Sequence, residues 1–124
     1  MNHIKKGRIF VKTTPTDLRK GFTGLYALVI QHFKKDILDG DTFLFLNKQK
    51  NLIKMMKWDG TGILISSKRL AKGRFANIFD HCEGRILRLS KTQLFRLISG
   101  QPMQRLFLPQ KNKEKTSENR VMRI

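Results

Sequence analysis

The chain has 124 residues, and its 26 Lys and Arg against 9 Asp and Glu give a formal net charge of +17. This length is typical of one domain with a buried core. Excess positive charge destabilises the compact state by self-repulsion unless a partner offsets it. The composition therefore points to a polyanionic partner, either DNA, RNA or an anionic membrane surface.

Hydropathy and cysteine content bear on location. No run of the sequence approaches the roughly 20 apolar residues of a membrane-spanning helix, and Met1–Phe10 lacks the apolar core of a signal peptide. The most amphipathic segment, Leu18–Phe33, is mostly apolar rather than basic, which favours a core helix over a membrane-surface helix. A single cysteine, Cys82, suits a reducing compartment. We expect a cytoplasmic protein without membrane contact.

The N-terminal third predicts a strand followed by a helix. Ile4–Thr13 alternates in the manner of a strand, and Leu18–Phe33 carries apolar residues at the i, i+3 and i+4 positions of one helical face. A side-chain oxygen of Thr16 or Asp17 is placed to cap that helix. Two glycines lie in its first turns and each costs about 1 kcal/mol relative to Ala. They indicate either close packing or a broken first turn.

The middle of the chain predicts an antiparallel meander, with strands at Thr42–Asn47, Leu52–Trp58 and Gly62–Arg69. Asp59 and Gly60 between two strand-like runs favour a two-residue type I′ hairpin, because both central residues of that turn need a positive φ. Centring the hairpin on this pair sets position 54 opposite about 65, and 50 opposite about 69.

The C-terminal part begins with an irregular segment, Leu70–Gly84, and a strand at Arg85–Leu89. Ser90 and Gln93 have the spacing of a capping box, in which each side chain bonds the backbone N–H of the other residue. They predict a short helix that ends at Gly100.

Together these elements predict an α+β fold, in which a small antiparallel meander of about four or five strands packs against one long N-terminal helix and a short C-terminal helix. We expect one domain over residues 1–108. Residues 109–124 are polar and basic, which is typical of a mobile tail.

Positive charge is concentrated between positions 48 and 74, where Asp59 is the only acidic residue. In an antiparallel hairpin several of these cations meet at the end away from the turn. A solvated surface is the ordinary explanation of a charge run, but ordinary surfaces interleave both signs. We therefore predict phosphate contacts along the hairpin and the loop after it. The candidate residues are Lys48, Lys50, Lys54, Lys57, Lys68, Arg69, Lys72 and Arg74.

Three aromatic residues lie beside these cations, namely Trp58, Phe75 and Phe79. Exposed aromatic rings stack on unpaired bases, and an exposed apolar patch serves equally as a protein contact. Aromatics in such positions are more often part of the core, and a Trp beside a hairpin turn usually packs across the ribbon.

The acidic residues do not form a recognisable catalytic set. Metal-assisted strand transfer needs carboxylates that converge on two divalent ions, and a zinc site needs a second Cys or His pair. We expect no catalysis, no metal and no cofactor; a metal-dependent nuclease remains the enzymatic alternative. The side chains available to it are Asp36, Asp39 and Asp41 in one turn, or Asp80, His81 and Glu83 in another. Cys82 adds a fourth potential ligand beside them, but adjacent residues rarely point at one centre.

Four blocks of sequence resemble one known family, the small second-reading-frame accessory proteins of IS66-type insertion sequences, often called TnpB. The similarity covers about residues 8–101 in register, and its blocks are specific when taken together. They are Thr16–Leu25 (TDLRKGFTGL), Phe43–Gly62 (FLFLNKQKNLIKMMKWDGTG), Lys68–Phe75 (KRLAKGRF), and Leu89–Leu94 (LSKTQL) with Leu97–Gly100 (LISG).

The resemblance implies an accessory role in transposition beside a separate, larger transposase that carries the catalytic carboxylates. It adds Arg19 and Lys20 of the first block to the expected nucleic-acid contacts. The chain departs from the family at Lys57, where a second aromatic is common, and at Ala76 and Asn77, where Trp is common. An interaction module that binds the transposase with little nucleic-acid contact is the alternative.

Overall fold

A computed structural model describes residues 7–82 and 86–109. Positions 4–6 of the first predicted strand, positions 83–85, and positions 110–124 of the predicted tail lie outside the described residues. The elements in chain order are β1 (Ile9–Lys12), α1 (Phe22–Gln31), a single 3₁₀ turn (Ile37–Asp39), β2 (Thr42–Leu46), β3 (Leu52–Trp58), β4 (Ile63–Arg69), α2 (Ile78–Cys82), β5 (Ile86–Leu89), α3 (Lys91–Ile98) and α4 (Met103–Leu106).

The five strands form one mixed sheet in the order β4-β3-β2-β1-β5, so the α+β class is confirmed. The meander β2-β3-β4 is antiparallel as predicted. β1 differs, because it pairs with β2 in parallel, with Ile9 beside Thr42. A parallel pair needs a crossover connection, which α1 provides here. β5 completes the sheet antiparallel to β1.

The sheet has an apolar core on both faces. On one face Phe43, Phe45 and Met56 pack with residues of α1. On the other face Leu44 and Leu46 belong to a second core cluster, which includes residues of α2, α3 and α4. Burial on both sides explains why β2 is an almost continuous apolar run rather than an alternating one.

The helix α1 begins later than predicted. Its N-cap is Gly21, whose backbone is extended and which has no side-chain cap, and its first helical residue is Phe22. The Asp17 carboxylate instead accepts the backbone N–H of Arg19, two residues on. That local turn competes with a helix, as Asp side chains commonly do. Segment 17–20 is therefore a turn that precedes the helix.

The hairpin between β3 and β4 also differs from the prediction. Trp58 pairs with Ile63, which leaves a four-residue loop in place of a two-residue type I′ turn. The Asp59 side chain accepts N–H groups of Thr61 and Gly62 and stabilises this longer loop. The register moves by two residues, so position 54 lies opposite 67 and position 52 opposite 69. A shift of two keeps each side chain on its predicted face, because side chains alternate with period 2.

The C-terminal helix starts as predicted. Ser90 accepts the N–H of Gln93, and Gln93 accepts the N–H of Ser90, which completes the capping box of α3. The short helix α2 lies inside a segment predicted to be irregular, and α4 follows Pro102. Within the part of the chain that the structure describes, no helix is long and apolar enough to cross a bilayer.

An ion pair joins the chain just before β1 to the chain just before β2. The Asp41 side chain is fully buried, and its two oxygens accept Nε and Nη2 of Arg8 at 3.1 and 2.9 Å. Asp41 also accepts the Arg8 backbone N–H, and Arg8 O accepts the N–H of Thr42. These bonds raise the pKa of Arg8 and fix the start of the parallel pair.

Replacing Asp41 should therefore destabilise the fold. In Asp41→Asn the buried side chain keeps its size but loses the charged partner of Arg8, and we expect the free energy of unfolding to fall by roughly 1–3 kcal/mol. Urea unfolding followed by circular dichroism measures this change. Asp39→Asn removes the same charge from a neighbouring position and should change stability by less than about 0.5 kcal/mol. Equal losses in the two variants would contradict a specific role for the Arg8–Asp41 pair.

Candidate nucleic-acid interface

The segment before α1 is anchored against one end of the sheet. Thr16 N donates to Leu46 O at 2.8 Å, which ties the segment to the end of β2. The ammonium of Lys12 donates to the hydroxyl of Thr14 at 2.9 Å and to Pro15 O at 3.1 Å. Lys54 Nζ reaches across from β3 to Leu18 O at 2.9 Å. These four hydrogen bonds hold the segment of backbone that carries Arg19 and Lys20.

Lys12 is an unusual buried cation at this end of the sheet. It is only 9% exposed, and burial, together with the nearby charge of Lys20, lowers the pKa of its ammonium group. The acceptors that surround it are oxygens of Thr14 and Pro15 rather than carboxylates. Lys12 therefore adds positive charge beneath the segment while it positions the segment.

The β2–β3 turn forms the other side of the same end. Asn47 orders this turn, since its side-chain oxygen accepts the N–H groups of Asn51 and Leu52. Arg74 Nε donates to Gln49 O at 3.1 Å, so the loop after β4 is bound to the turn. Lys50 has a positive φ of 60°, and its ammonium lies 5.6 Å from the centre of a phenyl ring in α2.

A cleft of about 650 Å³ lies between the segment and the turn. We call it the basic cleft. It brings together Arg19, Lys48 and Arg69, which come from three separate parts of the chain and were all predicted as phosphate contacts. The remaining lining residues are Pro15, Thr16, Asp17, Leu18, Asn47, Gln49 and Leu52.

One carboxylate lies among these cations. Asp17 Oδ2 and Arg19 Nη2 are 2.8 Å apart, in an ion pair whose Arg side chain is 91% exposed. Hydrogen bonds from Arg19 hold the pKa of Asp17 well below its usual range. Exposed ion pairs are weak, so Arg19 can exchange this partner for a phosphate.

The other predicted cations take different positions. Lys68 Nζ donates to Ile98 O at 2.7 Å, the last turn of α3, and so supports the fold as Lys54 does. Lys20 and Lys72 are exposed. Lys57 lies five residues along β3 from the cleft and points to the opposite face, beside Leu64 of β4. The structure thus gathers most of the predicted cations at one end and separates Lys57 from them.

The three predicted aromatic contacts are largely part of the core. Phe75 is 2% exposed and belongs to the same core cluster as β2. Trp58 and Phe79 are partly buried against the two core clusters. The Phe75 ring is therefore not available at the surface. Its backbone N–H donates to Lys50 O, which ties this residue to the turn.

The acidic residues of the alternative nuclease hypothesis are spread over separate structural roles. Asp36 caps the 3₁₀ turn, Asp41 binds Arg8, and Asp80 accepts the side-chain amide of Asn77. Burial raises the pKa of the Cys82 thiol. Among residues 7–82 and 86–109, no three His, Cys, Asp or Glu side chains are grouped as metal ligands would be.

Sequence reasoning missed the polar residues that shape the cleft. The strand pattern predicts Asn47 only as the end of a strand, although Asn before a tight turn commonly bonds the backbone two or more residues ahead. The sequence predicts Thr16 or Asp17 as the helix cap, whereas the backbone N–H of Thr16 donates to β2 and its buried hydroxyl has no partner within the described residues. The Asn47 signal was available in the sequence; the position of Thr16 depends on the parallel strand pair.

Comparison of the sequence with known proteins shows to which family the chain belongs. A model of the IS66 Orf2-like proteins matches residues 7–107. The chain belongs to the IS66 Orf2-like family. Two uncharacterized relatives from Sinorhizobium fredii, y4jC and y4hO, are each 37% identical over 93 residues, which is 75% of this chain and 78% and 79% of the two relatives. No solved structure matches this IS66 Orf2-like protein.

Membership in the family agrees with the resemblance predicted from four sequence blocks. It gives this IS66 Orf2-like protein an accessory role in transposition. The family match covers both the segment with Arg19 and the turn with Lys48, so the basic cleft lies inside the matched region.

The position of Lys54 can be tested by stability. Lys54→Met keeps the aliphatic stem but removes the donor to Leu18 O, and we expect the free energy of unfolding to fall by about 1 kcal/mol. Lys57→Met is a matched control from the same strand, with the same loss of charge at an exposed position, and should change stability by less than about 0.5 kcal/mol. Urea unfolding compares the two. A larger loss for Lys57→Met would contradict the structural role given to Lys54.

Proposed function

We propose that this IS66 Orf2-like protein is a non-catalytic accessory protein of transposition that binds DNA through the basic cleft. The observation that carries the proposal is the convergence of Arg19, Lys48 and Arg69 from three separate segments on one cleft. Cations that meet in space after separation in sequence indicate a surface shaped for an anion. Cations that are neighbours along one strand would lie close together in any fold, so their proximity would carry less information.

The chemistry of the cleft suits phosphate groups. Guanidinium groups bind phosphate through two parallel hydrogen bonds, and an ammonium group acts as a point charge. Lys50, Lys72 and Arg74 surround the same end, on the turn and on the loop bound to it. Such contacts give affinity and strong salt dependence but little choice of sequence.

The biological setting favours DNA over RNA as the polyanion. The family acts in transposition, and the nucleic acid that transposition moves is DNA. We propose a separate transposase of the same element as the protein partner that supplies the catalytic carboxylates. These partners imply a cytoplasmic location.

The first test removes the three cations of the cleft together. In Arg19→Gln/Lys48→Gln/Arg69→Gln we expect the slope of log K against log salt, measured on duplex DNA from the element's ends, to decrease in magnitude by about 2–3, since each lost phosphate contact contributes about 0.9. The affinity near physiological salt should fall by about tenfold or more. Fluorescence anisotropy over a salt series measures both quantities.

The matched control removes one Lys and two Arg from exposed positions elsewhere, as Lys34→Gln/Arg88→Gln/Arg105→Gln. It lowers net charge by the same amount and should retain most of the wild-type slope. An equal loss in both triple variants would mean that net charge alone drives binding. A wild-type slope near zero would eliminate phosphate contacts altogether.

A second test concerns the carboxylate inside the cleft. Asp17→Asn removes the negative charge and releases Arg19, so we expect DNA to bind roughly two- to fivefold more tightly at low salt, the range that one exposed ion pair is worth. Asp39→Asn raises the net charge equally at another position. If both variants tightened binding to the same extent, the effect would belong to net charge and not to the Asp17–Arg19 pair.

A further inference from the structure

Two adjoining pockets, which share Thr42, Lys57 and Leu94, form a second depression at the opposite end of the sheet and on the opposite face. Its floor is one row of neighbouring residues across four strands, since Ile9 pairs with Thr42, Thr42 with Lys57, and Lys57 with Leu64. Helix α3 forms its wall, with Leu94 and Phe95 facing the row. We call this depression the α3 groove.

Two of the apolar side chains that line the groove remain open to solvent. Phe95 is 64% exposed and Leu64 is 50% exposed, and both are among the most exposed large apolar residues that the structure describes. Met55 and Leu94 are partly buried beside them. Leu94 lines the pocket of Phe95 and the pocket of Leu64. Exposed apolar residues that are grouped in this way, in contrast to scattered ones, mark contact surfaces.

The charge of the groove selects among possible occupants. Lys57 stands in the floor and Lys91 at the first turn of α3, and no Asp or Glu is present among the described residues that line the groove. An occupant with apolar and acidic side chains would satisfy both features. A second copy of this chain, with a net charge of +17, would be repelled.

The dimensions of the floor set the length of the occupant. Four adjacent strands span three inter-strand spacings, which is about 14 Å. An α-helix covers that distance in roughly ten residues and an extended chain in about four. The groove thus fits a short peptide segment.

We propose that the α3 groove is a docking site for a short acidic, amphipathic segment of a partner protein. The apolar side of the segment packs on Leu64 and Phe95, and its carboxylates pair with Lys57 and Lys91. The site is separate from the basic cleft, because Lys57 and Leu52 are about 17 Å apart along β3 and point to opposite faces. A partner and DNA can therefore be bound at the same time.

A random 16-residue phage-display library, selected on the whole protein, tests this proposal. We expect the enriched peptides to combine Asp or Glu with apolar residues, and their affinity, measured with synthetic peptides, to fall at least tenfold on Leu64→Ser/Phe95→Ser. On Lys57→Glu/Lys91→Glu the same acidic peptides should bind at least tenfold more weakly. Both pairs are surface changes, and circular dichroism confirms folding.

Two matched controls separate the groove from general stickiness and from attraction to the basic cleft. Ile30→Ser/Leu38→Ser removes two equally exposed apolar residues elsewhere, and Arg19→Gln/Lys48→Gln/Arg69→Gln neutralises the cleft. Both should retain peptide binding within about twofold. Basic or non-acidic enriched peptides, loss of binding on either control, or retention on the groove variants would overturn the proposal. DNA affinity of Leu64→Ser/Phe95→Ser, which keeps the net charge, reports the basic cleft independently.

Discussion

The buried ammonium group of Lys12 is the interaction on which the basic end of the molecule depends. It bonds oxygens of Thr14 and Pro15 from beneath, and Lys54 supports Leu18 from the neighbouring part of the sheet. A buried cation without a hydrogen-bond partner is strongly unfavourable. The polypeptide before α1 must therefore stay where it supplies oxygens to these two lysines, and Arg19 is carried to the edge of the cleft as a result.

The same arrangement divides the lysines into two kinds. Lys12, Lys54 and Lys68 use their ammonium groups to hold backbone carbonyls, so their positive charge is an addition to a structural role. Lys48 and Arg69 line the cleft and, within the described residues, do not have such a structural role. Positive charge thus accumulates at one end of the sheet both from residues that build that end and from residues that are free to meet a ligand.

The sheet then separates two surfaces of different chemistry. One end and face carry the basic cleft, and the other end and face carry the α3 groove. Strand β3 contributes to both, through Leu52 at one end and Lys57 at the other. In the two proposed roles, DNA and a protein segment would bind to separate surfaces, so neither ligand would exclude the other.

Much of the fold was predictable where the decisive partners are close in sequence. The capping box of α3 joins residues three positions apart, and the meander joins strands that follow each other, so local patterns were sufficient. The predicted start of α1 and the predicted length of the hairpin loop were wrong. In both places an Asp side chain, Asp17 or Asp59, bonds the nearby backbone and replaces the standard cap or turn.

The sequence by itself determined the α+β class, the strongly basic charge and the membership in one family, because each depends on composition or on contiguous blocks. Tertiary structure alone decided which cations meet. Arg19, Lys48 and Arg69 come together only because β1 pairs with β2 in parallel and brings segment 14–20 to the β2–β3 turn. Lys57 lies far from them for two reasons. A strand of seven residues extends for about 20 Å, and successive side chains of a strand point to opposite faces of the sheet.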